Sequence, residues 1–347
     1  MTSLVTGFPG FIGRRLVRRL DGPVVALVEA RMADVARSLA PDGVEVVVGD
    51  ISARRLGVDD ATWERLVAEV ERVYHLAAIY DLSVPIELAQ RVNVDGTGNV
   101  LELCLAAERF QRLAYVSTAY VAGLRTGVVY EHELVMGQAF KNHYESTKFQ
   151  AEVWVRELMD RVPTTILRPA IVVGDSQTGE TEKFDGPYYI LRTISRMQKL
   201  GRPVANFGRG GAKFNVVPVD YVVEAMAAVG VAPETEGETL HLVDPDPLTS
   251  RELFGVLSRE YAGVEPKGSV SPKLVAGALR SKRVRAQFGG APPESIAYLN
   301  HPVTFDTRRA VDLLAPHGLA PPHFSEYAGA MVRFFREHEA DPAFSRS

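Results

Sequence analysis

A single cysteine, Cys104, stands among 347 residues, so no disulfide can close within the chain and a disulfide-stapled scaffold is excluded. It lies in the apolar stretch Val100–Ala107, which reads as a buried helix face and makes the thiol a packing group. Charge of one sign is scarce: 39 basic and 43 acidic side chains leave a net charge of −4. Nothing in that balance draws nucleic acid electrostatically. No run approaches the roughly 18–20 apolar residues that cross a bilayer. No basic region precedes the apolar N-terminal run, so the start does not read as a secretory leader. The expected location is cytoplasmic, with at most peripheral membrane contact. No metal is expected: the eight histidines show no metal spacing, and His132-Glu133 lacks a second histidine four residues on. A G-x-S-x-G elbow is missing too, which leaves a serine hydrolase unsupported.

What is present is an ordinary globular composition, 46% hydrophobic and 24% charged, which rules out disorder across the whole chain. The first 170 residues alternate β-branched runs with helical patterns. Ser3–Thr6, Val24–Val28, Val44–Val48, Val73–Leu76, Leu113–Ser117 and Thr164–Leu167 read as strands. Phe11–Leu20, Ala33–Leu39, Trp63–Val70, Asn93–Glu108 and Tyr144–Leu158 read as helices. Apolar strands separated by helices indicate a parallel sheet covered on both faces, and the right-handed crossover makes it a doubly wound α/β sheet of the Rossmann kind. After Pro169 the texture changes. Gly174–Gly186 and Gly201–Gly211 read as loops, Tyr188–Leu200, Tyr221–Val229 and Tyr327–His338 as helices, and Val216–Val219 and Thr239–Val243 as short strands. The expected organisation is a dinucleotide-binding domain over 1–170, to which 216–243 returns, and a smaller substrate lobe within 171–347. The cleft between them is the default ligand site.

Thr6-Gly7-Phe8-Pro9-Gly10-Phe11-Ile12-Gly13 comes directly after the first strand and opens the first helix. Gly7 permits a tight turn, Gly10 lets backbone approach a pyrophosphate, and Gly13 lets the helix pack closely on the sheet. The helix N-terminus then offers free N–H groups to the phosphates. Glu29, at the end of the second strand, suits the ribose 2′-hydroxyl of NAD(H). Arg14, next to Gly13, and Arg31 could each hold the 2′-phosphate of NADP(H) instead. Asp50 ends the third strand, where it could accept from the adenine amino group or cap a helix.

Tyr144-Glu145-Ser146-Thr147-Lys148 places a phenol and an ammonium four residues apart, on one helix face. A neighbouring ammonium favours phenolate and is expected to draw the tyrosine pKa down from about 10. That suits a general acid for a carbonyl oxygen receiving hydride. Ser117-Thr118 ends the fifth strand, at the sheet edge where ligands bind, and supplies a hydroxyl for the same oxygen.

Thr6–Gly13, Asp50-Ile51, His75-Leu76-Ala77-Ala78, Asn93, Tyr115-Val116-Ser117-Thr118-Ala119, Tyr144…Lys148 and Arg168-Pro169 occur in the order seen in extended short-chain dehydrogenases/reductases, which the chain resembles. The resemblance implies Tyr144 as proton donor and Lys148 as binder of the nicotinamide ribose and tuner of Tyr144. It selects Thr118 to orient the substrate carbonyl. Asp50 and Ile51 would contact adenine, and Ala77 and Ala78 would line the cofactor. Backbone at Pro169, Ile171 and Val172 would lie by the carboxamide, with Asn93 as a structural and relay residue.

Ile171–Glu180, Asp185–Tyr189, Phe214–Val223, Pro292–Ser295, Asn300–Pro302 and Phe305–Arg308 look like the fatty acyl-CoA reductase branch, above all the N-terminal reductase module of two-module bacterial enzymes. That likeness implies reduction of a long-chain fatty aldehyde or of a fatty acyl thioester on CoA or a carrier protein. NADP(H) is favoured, and Glu29 leaves NAD(H) open. A homodimer is compatible with the family. Tyr80, Tyr188, Tyr189 and Phe214 are candidates to line an acyl channel, and the basic amphipathic segment Leu274–Arg285 to touch a membrane surface or CoA phosphates. The alternatives are a ketone or hydroxysteroid reductase, a nucleotide-sugar epimerase, or a non-catalytic dinucleotide sensor. Ala119-Tyr120 succeed Thr118 where sugar dehydratases place Asp-Glu, and a sensor would usually have lost the tyrosine or the lysine.

Overall fold

The computed structural model describes the chain apart from residues 81–83, 208–209, 272–273, 275–276, 279, 282, 284–294 and 346–347. Seven strands form the central sheet: β1 (Thr2–Thr6), β2 (Val24–Val28), β3 (Val44–Val48), β4 (Val70–His75), β5 (Arg112–Val116), β6 (Thr164–Pro169) and β7 (Thr239–Leu242). Their order is β3-β2-β1-β4-β5-β6-β7, every pair parallel. The order reverses between β1 and β4, and a doubly wound sheet opens its ligand crevice at that switch point.

Alternation along the strands divides the core. Leu4, Leu27, Val73, Leu113, Tyr115 and Ile166 face α3 (Asp60–Glu69), α4 (Gly96–Ala106) and α5 (His143–Glu157). Val5, Ala26, Val28, Tyr74, Ala114 and Leu167 face α1 (Gly13–Leu16), α2 (Ala33–Leu39) and α7 (Val219–Val229). Strands buried on both faces must be apolar at successive positions, and that is how they read in the sequence. A third core belongs to the lobe. Val173, Phe184, Tyr188, Leu191, Phe254, Leu257, Tyr327 and Phe335 join α6 (Tyr188–Lys199), α8 (Ser250–Ala262) and α9 (Phe324–His338).

Several boundaries differ from expectation, each for a local reason. The first helix keeps α-geometry only over Gly13–Leu16, then tightens, with Arg18 N and Arg19 N bonding the carbonyls three residues back. Asn93 sits in a π-turn, Gln90–Asp95, that precedes α4 instead of opening it. Strand 216–218 pairs with 171–173 in a separate two-stranded sheet, while β7 closes the edge of the central one. Half of Leu274–Arg285 lies outside the described residues, as do Pro292, Pro293 and Glu294; Leu274 itself is exposed. No described helix is long and apolar enough to cross a membrane.

Candidate active site

β1 delivers Thr6 to the carboxyl edge of the sheet, where its buried hydroxyl ties β1 to β4. Thr6 Oγ1 accepts Leu76 N and Ala77 N, both at 3.2 Å, and lies 2.7 Å from His75 Nδ1. Thr97 Oγ1 gives its proton to Asn93 O at 2.7 Å and therefore accepts from His75 Nε2 at 3.1 Å. His75 thus carries its proton on Nε2, and Thr6 donates to Nδ1. Burial, with Lys148 nearby, pushes the His75 pKa down to about 3, so the ring stays neutral.

The turn after β1 is held by its own carbonyl. Gly7 has φ +90°, and Gly10 N donates to Gly7 O at 3.0 Å. A Cβ on Gly10 would stand 2.9 Å from Gly7 O, and one on Gly13 only 2.6 Å from it. Gly13 is therefore required by the turn itself, where close helix–sheet packing was expected. Phe8 and Pro9 are buried, and Phe11 and Ile12 are half-buried. A side chain at Gly10 or Gly13 would run into the Gly7 carbonyl, and one at Gly7 into Leu76 and Ala77; the three glycines allow the tight turn ahead of α1, a shape that fits the phosphates of a nicotinamide dinucleotide.

Both arginines proposed for a 2′-phosphate already hold carboxylates. Arg14 Nη2 and Nε reach Glu180 and Glu182 at 2.7 and 3.0 Å, and Arg31 pairs with Glu29. Asp50 is exposed and accepts Ser52 N at 2.8 Å, so it caps its own turn. Ile51 is buried against Gly96, and its carbonyl accepts Asn99 Nδ2 at 2.7 Å.

Tyr144, Thr118 and Tyr80 come together. Asn142 caps α5 by accepting Glu145 N at 3.0 Å, which sets Tyr144 in the first turn and Lys148 one turn on. Tyr144 is half-buried beside the Thr118 hydroxyl. Burial pushes its pKa up to about 12; the Thr118 hydroxyl opposes the rise, while Glu145 and Tyr80 add to it. The expected depression by Lys148 is not seen. Lys148 instead turns inward, donating to Val116 O at 2.8 Å and Tyr115 Oη at 3.0 Å. Burial pushes its pKa down to about 7 against the opposing field of Glu152. Ser117 points the other way, donating to Glu152 Oε2 at 2.6 Å.

Asn93 clamps the loop after β4. Its Oδ1 accepts Ile79 N at 2.8 Å, and its Nδ2 donates to Ile79 O at 3.1 Å and Thr147 Oγ1 at 3.0 Å. The half-buried Ala77 and Ala78 are held between this clamp and Thr6. Pro169 O lies 3.5 Å from Thr118 Oγ1, and Ile171 and Val172 are half-buried in the next strand.

The aromatic candidates separate. Tyr80 is exposed beside Tyr144, and Tyr189 is half-buried. Tyr188 and Phe214 are instead buried in the lobe core: the Tyr188 ring packs at a tilt against Phe184, centroids 5.1 Å apart, and its hydroxyl accepts Gly174 N at 3.2 Å. They pack the lobe core, and aromatic content alone does not tell core from cavity wall. Sequence reasoning passed over Glu152, whose partners Ser117 and Arg168 flank the site residues Thr118 and Pro169. Its only local signal is its place one turn beyond Lys148.

The model of the family described as male sterility protein matches residues 24–226. The chain belongs to that family. It is an NAD(P)-dependent oxidoreductase module of the extended short-chain dehydrogenase/reductase type. Among its relatives are a carboxylic acid reductase of Mycobacterium marinum, 25% identical over 70% of this chain, and a linear gramicidin synthase of Brevibacillus parabrevis, 24% identical over 74%. The chain spans 24% and 5% of those proteins, so it corresponds to one module of each. The crystal structure of the terminal R domain from the myxalamid PKS-NRPS pathway superposes with a TM-score of 0.81 at 26% identity, covering 98% of this chain and 91% of that one. A UDP-glucuronic acid 4-epimerase from Bacillus cereus in complex with NAD, 19% identical over 97% of this chain and 99% of that one with a TM-score of 0.68, shares the fold.

Proposed function

We propose that the protein reduces an acyl thioester, carried on CoA or a carrier protein, or the aldehyde derived from it. Residues 1–170 with β7 act as the dinucleotide half and most of 171–347 as the substrate lobe. The observation that carries this reading is the Thr118–Tyr144 hydroxyl pair at the carboxyl edge of β5, in a chain that overlays nearly end to end on a terminal reductase domain. The relatives' names, carboxylic acid reductase and gramicidin synthase, favour a substrate at the carboxyl oxidation level over a sugar.

NAD(P)H, when bound, supplies a hydride to the carbonyl carbon. The chain's own residues manage the oxygen. Thr118 and Tyr144 present two hydroxyls to one acceptor, and Tyr144, held protonated by its high pKa, passes its proton to the developing alkoxide. Lys148 commits two of its ammonium donors to Val116 O and Tyr115 Oη, which fixes its head below the site and leaves the third for the cofactor's ribose. For a thioester, collapse of the hemithioacetal expels the thiol and leaves aldehyde; a second hydride and proton give alcohol. NADP(H) is the favoured cofactor and a long fatty acyl chain the favoured group.

The test is NADPH and NADH oxidation against acyl-CoAs and free aldehydes of rising chain length, an acylated carrier protein, sterol-like ketones and nucleotide sugars. Turnover of the thioesters or aldehydes, rising with chain length, is expected. Equal rates along the aldehyde series would remove the fatty acyl assignment, and activity on nucleotide sugars alone would remove the reductase reading of the substrate.

A further inference from the structure

Residues 174–186 form a strap whose base is firmly built. Asp175 Oδ1 accepts Gln177 N and Thr178 N at 3.0 and 2.9 Å, and Gly179 N donates to Asp175 O at 2.8 Å. Ser176 N and Oγ both bond the Asp220 carboxylate at the start of α7, at 2.8 and 2.7 Å. Gly179 has φ +74°, and a Cβ there would stand 2.2 Å from Ala330 O in α9. The strap then reaches the start of α1 through its two glutamates. Glu180 Oε1 takes Arg14 Nη2 at 2.7 Å and Arg15 Nη2 at 3.1 Å, and Glu182 Oε1 takes Arg14 Nε at 3.0 Å. Just past Glu182, Lys183 Nζ lies 5.0 Å from the ring centroid of Tyr80, the neighbour of Tyr144.

Arg14, right after the last glycine of the phosphate loop, thus has its Nη2 and Nε held by carboxylates from a segment more than 160 residues away in sequence. Arg15 shares one of them while lying 4.4 Å over Phe11, a residue of the loop itself. A dinucleotide phosphate arriving here meets two anions and two guanidiniums already engaged.

We propose that Glu180 and Glu182 determine cofactor affinity by competing with a phosphate group of the dinucleotide for Arg14 and Arg15. The proposal rests on the reading of Gly7–Gly13 as the dinucleotide loop. Two such phosphates exist, the pyrophosphate shared by both cofactors and the 2′-phosphate of NADP(H).

The experiment is calorimetric titration of NADPH and NADH into wild type and the E180Q/E182Q variant, at low and high salt, with the same pair of substitutions in an R14A/R15A background. Both glutamates are partly exposed, so the variant is expected to fold. Partly exposed ion pairs are weak and screened by salt, so the gain in affinity is expected at about three- to tenfold, shrinking with salt. A gain for NADPH alone supports the proposal through the 2′-phosphate, and an equal gain for both cofactors supports it through the pyrophosphate. No gain for either, or the same gain without Arg14 and Arg15, overturns it. If wild type binds neither nucleotide, the dinucleotide reading fails and takes the proposal with it; binding of both with no effect of the glutamates sinks the proposal alone.

Discussion

Glu152 and Arg168 pair with Nη2–Oε1 at 2.6 Å, and neither side chain is exposed at all. Glu152 also accepts Ser117 Oγ at 2.6 Å and Arg156 Nε at 3.1 Å. Arg168 reaches on to Glu131 O and Glu133 O at 3.2 and 2.9 Å. Burial alone would raise the Glu152 carboxyl, but Arg168, Arg156 and the Ser117 hydroxyl together outweigh burial and hold it below the usual carboxylate range. One ionised group therefore fastens α5 to the ends of β5 and β6, the two strands that carry Thr118 and Pro169. Glu152→Ala leaves buried arginine charge uncompensated and is expected to cost about 3–5 kcal/mol in urea unfolding. Replacing Glu152 with Leu and Arg168 with Met together is expected to cost less than the single change. A double variant weaker than Glu152→Ala would mean that the site depends on the pair's hydrogen bonds and not on charge balance.

Tyr144→Phe removes the proton and keeps the ring. Because the phenol faces Thr118, the loss should fall on kcat, by about 10²–10⁴-fold. The proposed dinucleotide loop, Gly7–Gly13, is a separate element, so Kd for NADPH is expected to stay within about twofold of wild type. Unchanged kcat would strip Tyr144 of the proton-donor role.

The acidity of Lys148 gives the pH profile its sign. The ammonium is the form that can bond a ribose, and burial has brought its pKa to about 7. As pH rises through 7 the charged form is lost, so kcat/KM should fall on the alkaline side with an apparent pKa near 7 in the free enzyme. Tyr144, near 12, stays protonated through that window. Folding responds oppositely: an unfolded lysine titrates near its ordinary 10.5, so between about 7 and 10 the unfolded chain binds the extra proton. Stability contributed at this site therefore increases with pH there. Lys148→Met should flatten both dependences, which rate profiles and thermal melts across pH would show.

The readable parts of the chain were those whose signal is local. β2, β3 and α2 fall where β-branched runs and helical periodicity place them, and Tyr144 and Lys148 share a helix because four residues make one turn. The start of α8 is equally local: Pro245 and Pro247 break the chain and the capping box of Thr249 and Glu252 opens the helix. What could not be read is whatever depends on distant partners. Nothing near Arg14 announces Glu180 and Glu182, and Ser117 gives no hint that Glu152 turns it away from the site. Tyr188 and Phe214 show the same limit from the other side, since an aromatic in a lobe looks alike whether it faces a core or a cavity.

Gly13→Ala tests the phosphate loop without touching a charge. Its new Cβ would stand 2.6 Å from Gly7 O and 3.1 Å from Phe8 N, both backbone atoms that cannot swing aside. Either the turn opens or α1 shifts, and both disturb the N–H groups at the start of α1 that would meet a phosphate. Overpacking of this kind costs about 1–3 kcal/mol, so Tm should drop while the protein still folds. Affinity for NADPH and NADH should fall together, by about tenfold or more, because the backbone cradle serves the part the two cofactors share. Titration of both nucleotides into the variant checks this. Intact binding with a lowered Tm would make Gly13 a folding requirement of the turn and remove the loop's backbone from the cofactor site.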